Sequence, residues 1–599
     1  MTLKSFQTSL LLDRSQLLTP ISKRLVQFLP IVTVTLAQGL IIFAMVHHSW
    51  WIWVHRPIAL AGDSSIYLWF LSWWGYAILH GHQLAFTRLV SYPWGNNIFW
   101  DTGVPLIFIP LSLLVNWHIL SLSTSYNLAT FGGWWFSSVC AYWSYAHISG
   151  HRWTSALASL LMSSAAYWTN QALGHTDLMW VGFSFVLFAI VVDFVRQPLP
   201  TSWLTARVLV LGVCLWLTNQ EYFVTTQLMI GFGLYGLVHQ ALYGQRAWTD
   251  VRRICLAYAK SLAVLLTVLA PLIAWQLITP DQPFYPFSAI DTYQINLANL
   301  FIPVHTWLTY LGRIHLTGNV MEQDGYLGIV FLFGFVLLMW RTRSKRDGVQ
   351  RGLLIWTAWL LVLSLGDFLM LSNRLDTGIP LPGIVLSIVP ILRDIIFDRF
   401  MWGVFWGLGL LVATYMAQIS RNAWKVVGIA WAGAVLLSWW PKSFPVEPLH
   451  ANRWISQQVQ QHHITAREVL LVFPYDVSYN PDNNVLYTQI ENHFGYRLAE
   501  GYLSPNNAVL KHDLLLVWDW ASIQLYGPRS TLTLNFSRHL RHPRRIFQQF
   551  LAQTDTSLVV LTPMAHERVM KQWLTASLGP PSGHQGRTFY WRHPRIRQQ

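Results

Sequence analysis

The stretch Gly62-Asp63-Ser64-Ser65-Ile66-Tyr67-Leu68-Trp69-Phe70 lies just past the first long apolar run of the chain, Phe28 to Val54. An aspartate there opens a Trp-rich segment in which Ile66, Trp69, Phe70, Trp73, Trp74 and Ala77 recur at helical spacing. That pattern predicts an amphipathic, interfacial helix over residues 63–80, followed by Gly81 and the turn Tyr92-Pro93-Trp94-Gly95-Asn96-Asn97. Asp63 suits two roles. As an N-cap it would accept backbone N–H bonds from the first helical turn. As a general base at the membrane surface it would take the proton of an acceptor hydroxyl. The roles are compatible, because a helix N-terminus favours the ionised carboxylate.

Composition sets the class. The chain is 53% hydrophobic and 11% charged, with 34 Trp and a mean hydropathy of +0.36, whereas soluble domains are about a quarter charged. This is the composition of a polytopic membrane protein. The net charge of +14 falls mostly in short loops between apolar runs and in the C-terminal tail. Orientation and anionic lipid account for it, and no nucleic-acid partner is expected. Cys140, Cys214 and Cys255 are scattered in apolar segments and read as free packing thiols. The first apolar run is span-length and has no Ala-x-Ala-like site, so no cleavable signal is expected.

Apolar segments fall near 28–54, 104–121, 125–147, 153–169, 178–195, 203–218, 222–243, 256–278, 326–340, 352–372, 400–420 and 424–440. Lys4, Arg14, Lys23 and Arg24 place the N-terminal segment, residues 1–27, in the cytoplasm. The loops holding Arg152; Arg196 and Arg207; Arg246, Arg252 and Arg253; Arg341 to Arg351; and Arg421 and Lys425 all become cytoplasmic if one early segment fails to cross. Segment 104–121, with Pro105 and Pro110, is that segment, read as re-entrant or interfacial. About eleven transmembrane helices follow within 28–440, with a first external loop over 55–124. The same arrangement gathers Asp63, His175, Asp177, Glu221 and the loops 279–325 and 373–399 on the outer face.

Residues 441–599 are more polar. Runs Val469-Leu470-Leu471-Val472-Phe473 and Leu558-Val559-Val560-Leu561 read as strands, and Ala565 to Ala576 as a helix. A small extracytoplasmic α/β domain is expected. The basic run Arg538 to Arg545 reads as a solvated stretch or a contact to phospholipid or anionic glycan.

Several residues can carry chemistry on the outer face. Asp177 either caps the next helix or, with His175, faces the cavity of Asp63. Two carboxylates, Asp63 and Asp177, could hold a divalent cation such as Mg or Mn, or His175 could meet a phosphate directly. Glu221 is an acid at a span end; charge at membrane depth is costly and functional by default, but at the interface the cost is small, so a functional and a merely interfacial acid both remain open. Loop 279–325 carries Asp291, Arg313 and His315, and ends with Glu322 and Tyr326 at i,i+4 spacing at the mouth of the next span. Arg399 opens a later span beside Asp398. It would clamp a phosphate through two hydrogen bonds or pair with Asp398, and Arg393 with Asp394 offers the same choice.

At these residues the chain resembles the GT-C superfamily of polytopic membrane glycosyltransferases, in an uncharacterised bacterial branch related to YfhO-like membrane proteins. The resemblance rests on Gly62-Asp63, Trp69-Phe70-Leu71-Ser72-Trp73, Ala77-Ile78-Leu79-His80-Gly81 and Tyr92-Pro93-Trp94-Gly95-Asn96. Later pieces are Ser125-Tyr126-Asn127-Leu128, Gly174-His175, Glu322 to Gly328, Gly378 to Pro382 and Arg399-Phe400. It implies Asp63 as the catalytic base, a polyprenyl-phosphate sugar donor, and inverting hexosyl or pentosyl transfer to a glycan, lipid or protein acceptor outside the cell membrane. His175, Asp177, Glu221, Arg313, Glu322, Tyr326 and Arg399 are then the candidate substrate-binding residues. A lipid-linked glycan transporter or flippase would share the composition, but should show paired interrupted helices in two related halves. A non-catalytic scaffold for envelope assembly is the third function class.

Overall fold

The computed structural model describes residues 20–60, 63–99, 103–244, 246–278, 293–311, 316, 320–345, 348–372, 375–389, 392, 395–419, 421–447, 449–473, 484–499, 543–563 and 567–593. Gly62, Asp291, Arg313, His315, Arg393, Asp394 and residues 538–542 of the basic run lie outside them.

Every apolar segment of the sequence contains a helix. Among the described residues, five are long and apolar enough to cross a bilayer: Phe28–Ile52, Asp177–Arg196, Thr201–Thr218, Trp248–Trp275 and Phe397–Ala417. The chain is therefore an integral membrane protein. Other apolar helices are shorter, such as Ile329–Thr342, or richer in Ser, Trp and Tyr, such as Leu122–Ser149. Helix Pro105–Asn116 has 12 residues. At 1.5 Å per residue it reaches roughly 18 Å, well short of a hydrocarbon core of about 30 Å.

Two segments depart from simple spans. The apolar run at 153–169 is interrupted: helix Arg152–Met162 stops, and Ala166–Gln171 resumes after residues 163–165. The run at 352–372 ends its helix at Ser364, turns at Gly366, and continues as strand Phe368–Ser372, paired with Leu375–Pro380. Gly366 has φ +88, and a Cβ there would lie 1.8 Å from Gln294 Oε1, so only glycine permits this turn.

Helix Ser64–His80 is present where the sequence places it, but it is not laid on a surface. Trp69, Phe70, Trp73 and Trp74 are all buried. Apolar residues run almost all round this helix, and such a helix is covered on all sides. Pro105–Asn116 covers one side. Gly75 permits the approach: its N–H donates to Ser112 Oγ, and a Cβ would meet the Ser112 carbonyl at 2.6 Å.

The C-terminal residues cover the other side. They form a five-stranded sheet in the order Arg497–Leu498, Val469–Phe473, Leu558–Leu561, Thr588–Arg592, Gly583–Gln585. The first three strands are parallel and the last two pairings antiparallel. Alternation divides the central strand between two faces. Val469, Leu471 and Phe473 pack with Phe547, Leu551 and Leu574 of helices Pro543–Gln553 and Glu567–Leu578. Leu470 and Val472 face the cluster that contains Trp69, Trp73, Trp454 and Leu486. Burial on both faces explains the unbroken apolar run. The edge strand is closed by the first loop: Leu498 N–H donates to Leu89 O at 2.8 Å, and Tyr92 N–H to Leu498 O at 3.0 Å.

Basic loops meet at the opposite end of the helices. Arg196 donates to Ile148 O and Arg246 to Val195 O.

Candidate functional site

Asp63 precedes the helix Ser64–His80, and its side chain makes no capping hydrogen bond. Its backbone carbonyl does the local work, accepting from Ile66 N–H at 2.9 Å. The carboxylate instead meets a distant partner, with Oδ2 2.9 Å from His175 Nε2. His175 sits in the turn after Ala166–Gln171, and its Nδ1 faces Gln171 Oε1 at 2.5 Å. The Gln171 amide is oriented by its other end, where Nε2 donates to Asp324 Oδ2 at 2.8 Å. Both ring nitrogens therefore face acceptors, which an imidazolium satisfies and a neutral ring does not. Burial pulls the His175 pKa down, but the carboxylates of Glu322 and Asp63 outweigh it and leave the value raised. The two acceptors and the neighbouring carboxylates both favour the protonated ring.

Behind this pair lies a closed ionic core. Arg399 NH1 is 2.9 Å from Asp398 Oδ2, its Nε 3.4 Å from Glu221 Oε2, and its NH2 3.5 Å from Glu322 Oε1. Glu322 Oε1 is also 3.5 Å from His175 Nε2, so it links the two halves. Glu221 accepts from Ile396 N–H at 3.0 Å. Burial raises the pKa of Glu322 against the pull of His175 and Arg399, and pushes Asp324 up to about 7. Side-chain exposure separates the groups: Asp63 keeps 26% and Glu221 20%, against 4% for Glu322 and 5% for Arg399.

Asp177 is nearby but engaged elsewhere. It accepts from the Tyr67 hydroxyl and from Asn219 Nδ2. Among the described residues no three His, Cys, Asp or Glu side chains are grouped to hold a metal ion. Tyr326 is brought to Ser438 of helix Asn422–Trp439 rather than to the ionic core.

Of the candidates from the sequence, Asp63, His175, Glu221, Glu322 and Arg399 converge, Asp177 lies beside them, and Tyr326 does not join. Gln171, Asp324, Asn219 and Tyr67 were missed. Gln171 precedes His175 by one helical turn, and Asp324 follows Glu322 by two residues. Those spacings are the signals that could have found Gln171 and Asp324.

Residues 35–440 match the family described as "Domain of unknown function (DUF6311)", and the chain belongs to that family. No curated protein matches the chain. Among solved structures it is similar to the Archaeoglobus fulgidus oligosaccharyltransferase tethered to an acceptor peptide, with 12% identity, 88% of this chain and 68% of that one covered, and a TM-score of 0.47. It is similar to the archaeal oligosaccharyltransferase AglB from the same organism in complex with an inhibitory peptide and a dolichol-phosphate, with 12% identity, 89% and 69% covered, and a TM-score of 0.47. ArnT from Cupriavidus metallidurans in the apo state gives 11% identity, 92% and 98% covered, and a TM-score of 0.41.

Proposed function

We propose that this chain is a GT-C-type membrane glycosyltransferase that moves a sugar from a polyprenyl-phosphate donor to an acceptor hydroxyl at the outer face of the cell membrane. The observation that carries this reading is the Asp63–His175 pair, a partly exposed carboxylate fixed by a buried imidazole. The acceptor hydroxyl gives its proton to Asp63 and its oxygen bonds the anomeric carbon. The bond from that carbon to the phosphate oxygen breaks, and the electron pair leaves with polyprenyl phosphate. His175 keeps the carboxylate ionised and aimed until the proton arrives.

Glu221 shares the exposed edge and is assigned to the acceptor. Asp177 holds Tyr67 and Asn219 at the floor of the site. Arg399 spends its guanidinium on three carboxylates, so we assign it to holding Asp398, Glu221 and Glu322 in place rather than to clamping the donor phosphate. The proposed sidedness puts the basic loops in the cytoplasm and the site with the C-terminal sheet outside.

The test is a reconstitution. Proteoliposomes containing the purified protein receive a radiolabelled polyprenyl phosphosugar and an envelope extract as acceptor. Label leaving the lipid phase supports transfer. Label crossing the bilayer with its phosphate bond intact makes the protein a flippase, and neither outcome leaves a scaffold.

A further inference from the structure

Glu447 follows the last membrane helix and is 2% exposed, among the most completely enclosed carboxyls outside the ionic core. Its Oε1 lies 3.0 Å from Ser65 Oγ and 3.1 Å from Asn484 Nδ2, and its Oε2 is hydrogen-bonded to Ser64 Oγ. Asn484 is oriented independently, because its Oδ1 accepts from Tyr487 N–H and its Nδ2 also donates to Ser65 Oγ at 2.8 Å. Three separated pieces of chain therefore meet at this carboxyl: the residues just after Asp63, the connection after the last span, and the start of helix Val485–Glu491.

Counting protons decides the state of the group. Ser64 Oγ is 2.6 Å from Leu60 O as well as bonded to Glu447 Oε2. A hydroxyl has one proton, and an ionised Glu447 would leave it facing two acceptors. With the proton on Glu447, Oε2–H donates to Ser64 Oγ, Ser64 donates to Leu60 O, and Oε1 accepts from Ser65 and Asn484. Every group is then satisfied. Leu60 matters because its N–H donates to Leu173 O at 2.6 Å, two residues before His175. One strut thus ties the chain around Asp63 to the turn that carries His175.

We infer that Glu447 is a positioning residue that acts as a neutral carboxylic acid, locking Ser64 and Leu60 so that Asp63 and His175 stay in register, and that its deprotonation releases them. This rests on the transferase reading only for its activity arm. Burial, the largest influence, pushes Glu447 up to about 7, against the hydrogen bonds of Ser64, Ser65 and Asn484. Tyr126 from helix Leu122–Ser149 is the ionisable group that faces it from the span side, and the Asp63 charge also acts on that phenol. The Val485–Glu491 side presents the neutral Asn484, and the residue after Asp63 the neutral Ser64.

The sign follows from a folded value above the unfolded one, about 4.5. The stabilisation is fully present below the unfolded value and is lost as pH rises through about 7. Glu447→Gln copies the neutral acid, with its amide donating to Ser64 and its oxygen accepting from Ser65 and Asn484. Glu447→Ala removes the strut. Purified protein is melted from pH 5 to 8.5, and transfer is measured over the same range. The expected result is a Gln variant whose melting temperature gains on wild type as pH rises toward 7, and whose kcat lacks the alkaline fall of wild type at unchanged KM. The Ala variant should lose kcat about tenfold or more at every pH. A Gln variant as damaged as Ala, or a melting difference independent of pH, overturns the inference. A wild-type protein with no transfer sinks the transferase reading alone, since the melting series still decides the state of Glu447.

Discussion

The Asp63–His175 edge and the Arg399 core are built from the same residue types a few ångströms apart, yet they are suited to opposite tasks. Asp63 retains 26% of its side-chain surface, while Arg399 retains 5% and Asp398 none. A carboxylate that exchanges a proton with substrate needs a path to it. A guanidinium enclosed by three carboxylates has its donors committed and little room for a ligand. Both residues precede the N-terminus of a helix, and the difference lies in how completely each side chain is enclosed. Asp63 stands before a helix whose first residues, Ser64 and Ser65, are buried, while its own side chain stays partly open. Arg399 lies in the turn Phe397–Phe400 that enters a helix buried along its whole length.

The largest effect should come from breaking the closed side. Arg399→Met removes the charge that compensates Asp398, Glu221 and Glu322. Leaving buried charges unpaired costs on the order of 3–5 kcal/mol. The expected outcome is loss of monodisperse protein after extraction, read by size-exclusion chromatography and thermal unfolding. A Met variant with wild-type melting would mean that the core is not structural, and would return Arg399 to the donor phosphate.

Next is Asp63→Asn. The side chain makes no cap bond, and its contact to His175 is retained in part by the amide oxygen. Stability should therefore fall by no more than about 1 kcal/mol, while transfer falls by roughly 10²–10⁴-fold, the usual span for a lost general base. Single-turnover transfer alongside a melting curve separates the two, and undiminished turnover would remove Asp63 from the mechanism.

The relay behind His175 is intermediate. Gln171→Leu strips His175 Nδ1 and Asp324 of their shared partner, at a cost of about 1–3 kcal/mol for a buried group left unsatisfied. Asp324 is the acid pushed up to about 7, and the Gln171 bond is the strongest influence holding that value down. Without it Asp324 should stay protonated to higher pH, and the variant should lose stability more steeply than wild type as pH rises above 7. Melting temperatures at pH 6 and 9 test the slope.

Much of the frame was legible because it obeys local periodicity. The helix expected at 63–80 is Ser64–His80, and the strands Val469–Phe473 and Leu558–Leu561 occur at the expected residues. The helix expected at Ala565 to Ala576 is Glu567–Leu578. What covers Ser64–His80 was not legible, since the cover comes from residues such as Gln489, 420 positions away from Trp69. Within the site, Asp63, His175, Glu221 and Arg399 could be picked out as polar residues at span mouths. The choice between N-cap and active carboxylate could not be made locally, because the deciding partner of Asp63 lies 112 positions further on. Glu447 carried no local signal at all: its hydroxyl partner is 383 positions distant.

The smallest effect sharpens where the site stops. Glu322 and Tyr326 share the mouth of one helix at i,i+4 spacing, and the sequence assigns both to substrate. Their surroundings differ. Glu322 reaches His175 and Arg399, each at 3.5 Å, whereas Tyr326 is buried and bonded toward Ser438. The residues from Glu322 to Gly325 are drawn across the site by Gly325, whose N–H donates to Asn299 Oδ1 at 2.8 Å and where a Cβ would meet Ile295 Cγ2 at 2.5 Å. Beyond that turn the chain leaves the ionic core and packs toward helix Asn422–Trp439. Tyr326→Phe should then remove one neutral hydrogen bond, worth about 0.5–1.5 kcal/mol, and leave the donor KM unchanged. Donor titration of the Phe variant provides the check. A rise of tenfold or more in donor KM would extend the substrate surface past Gly325, onto the face that the exposed carboxylates do not reach.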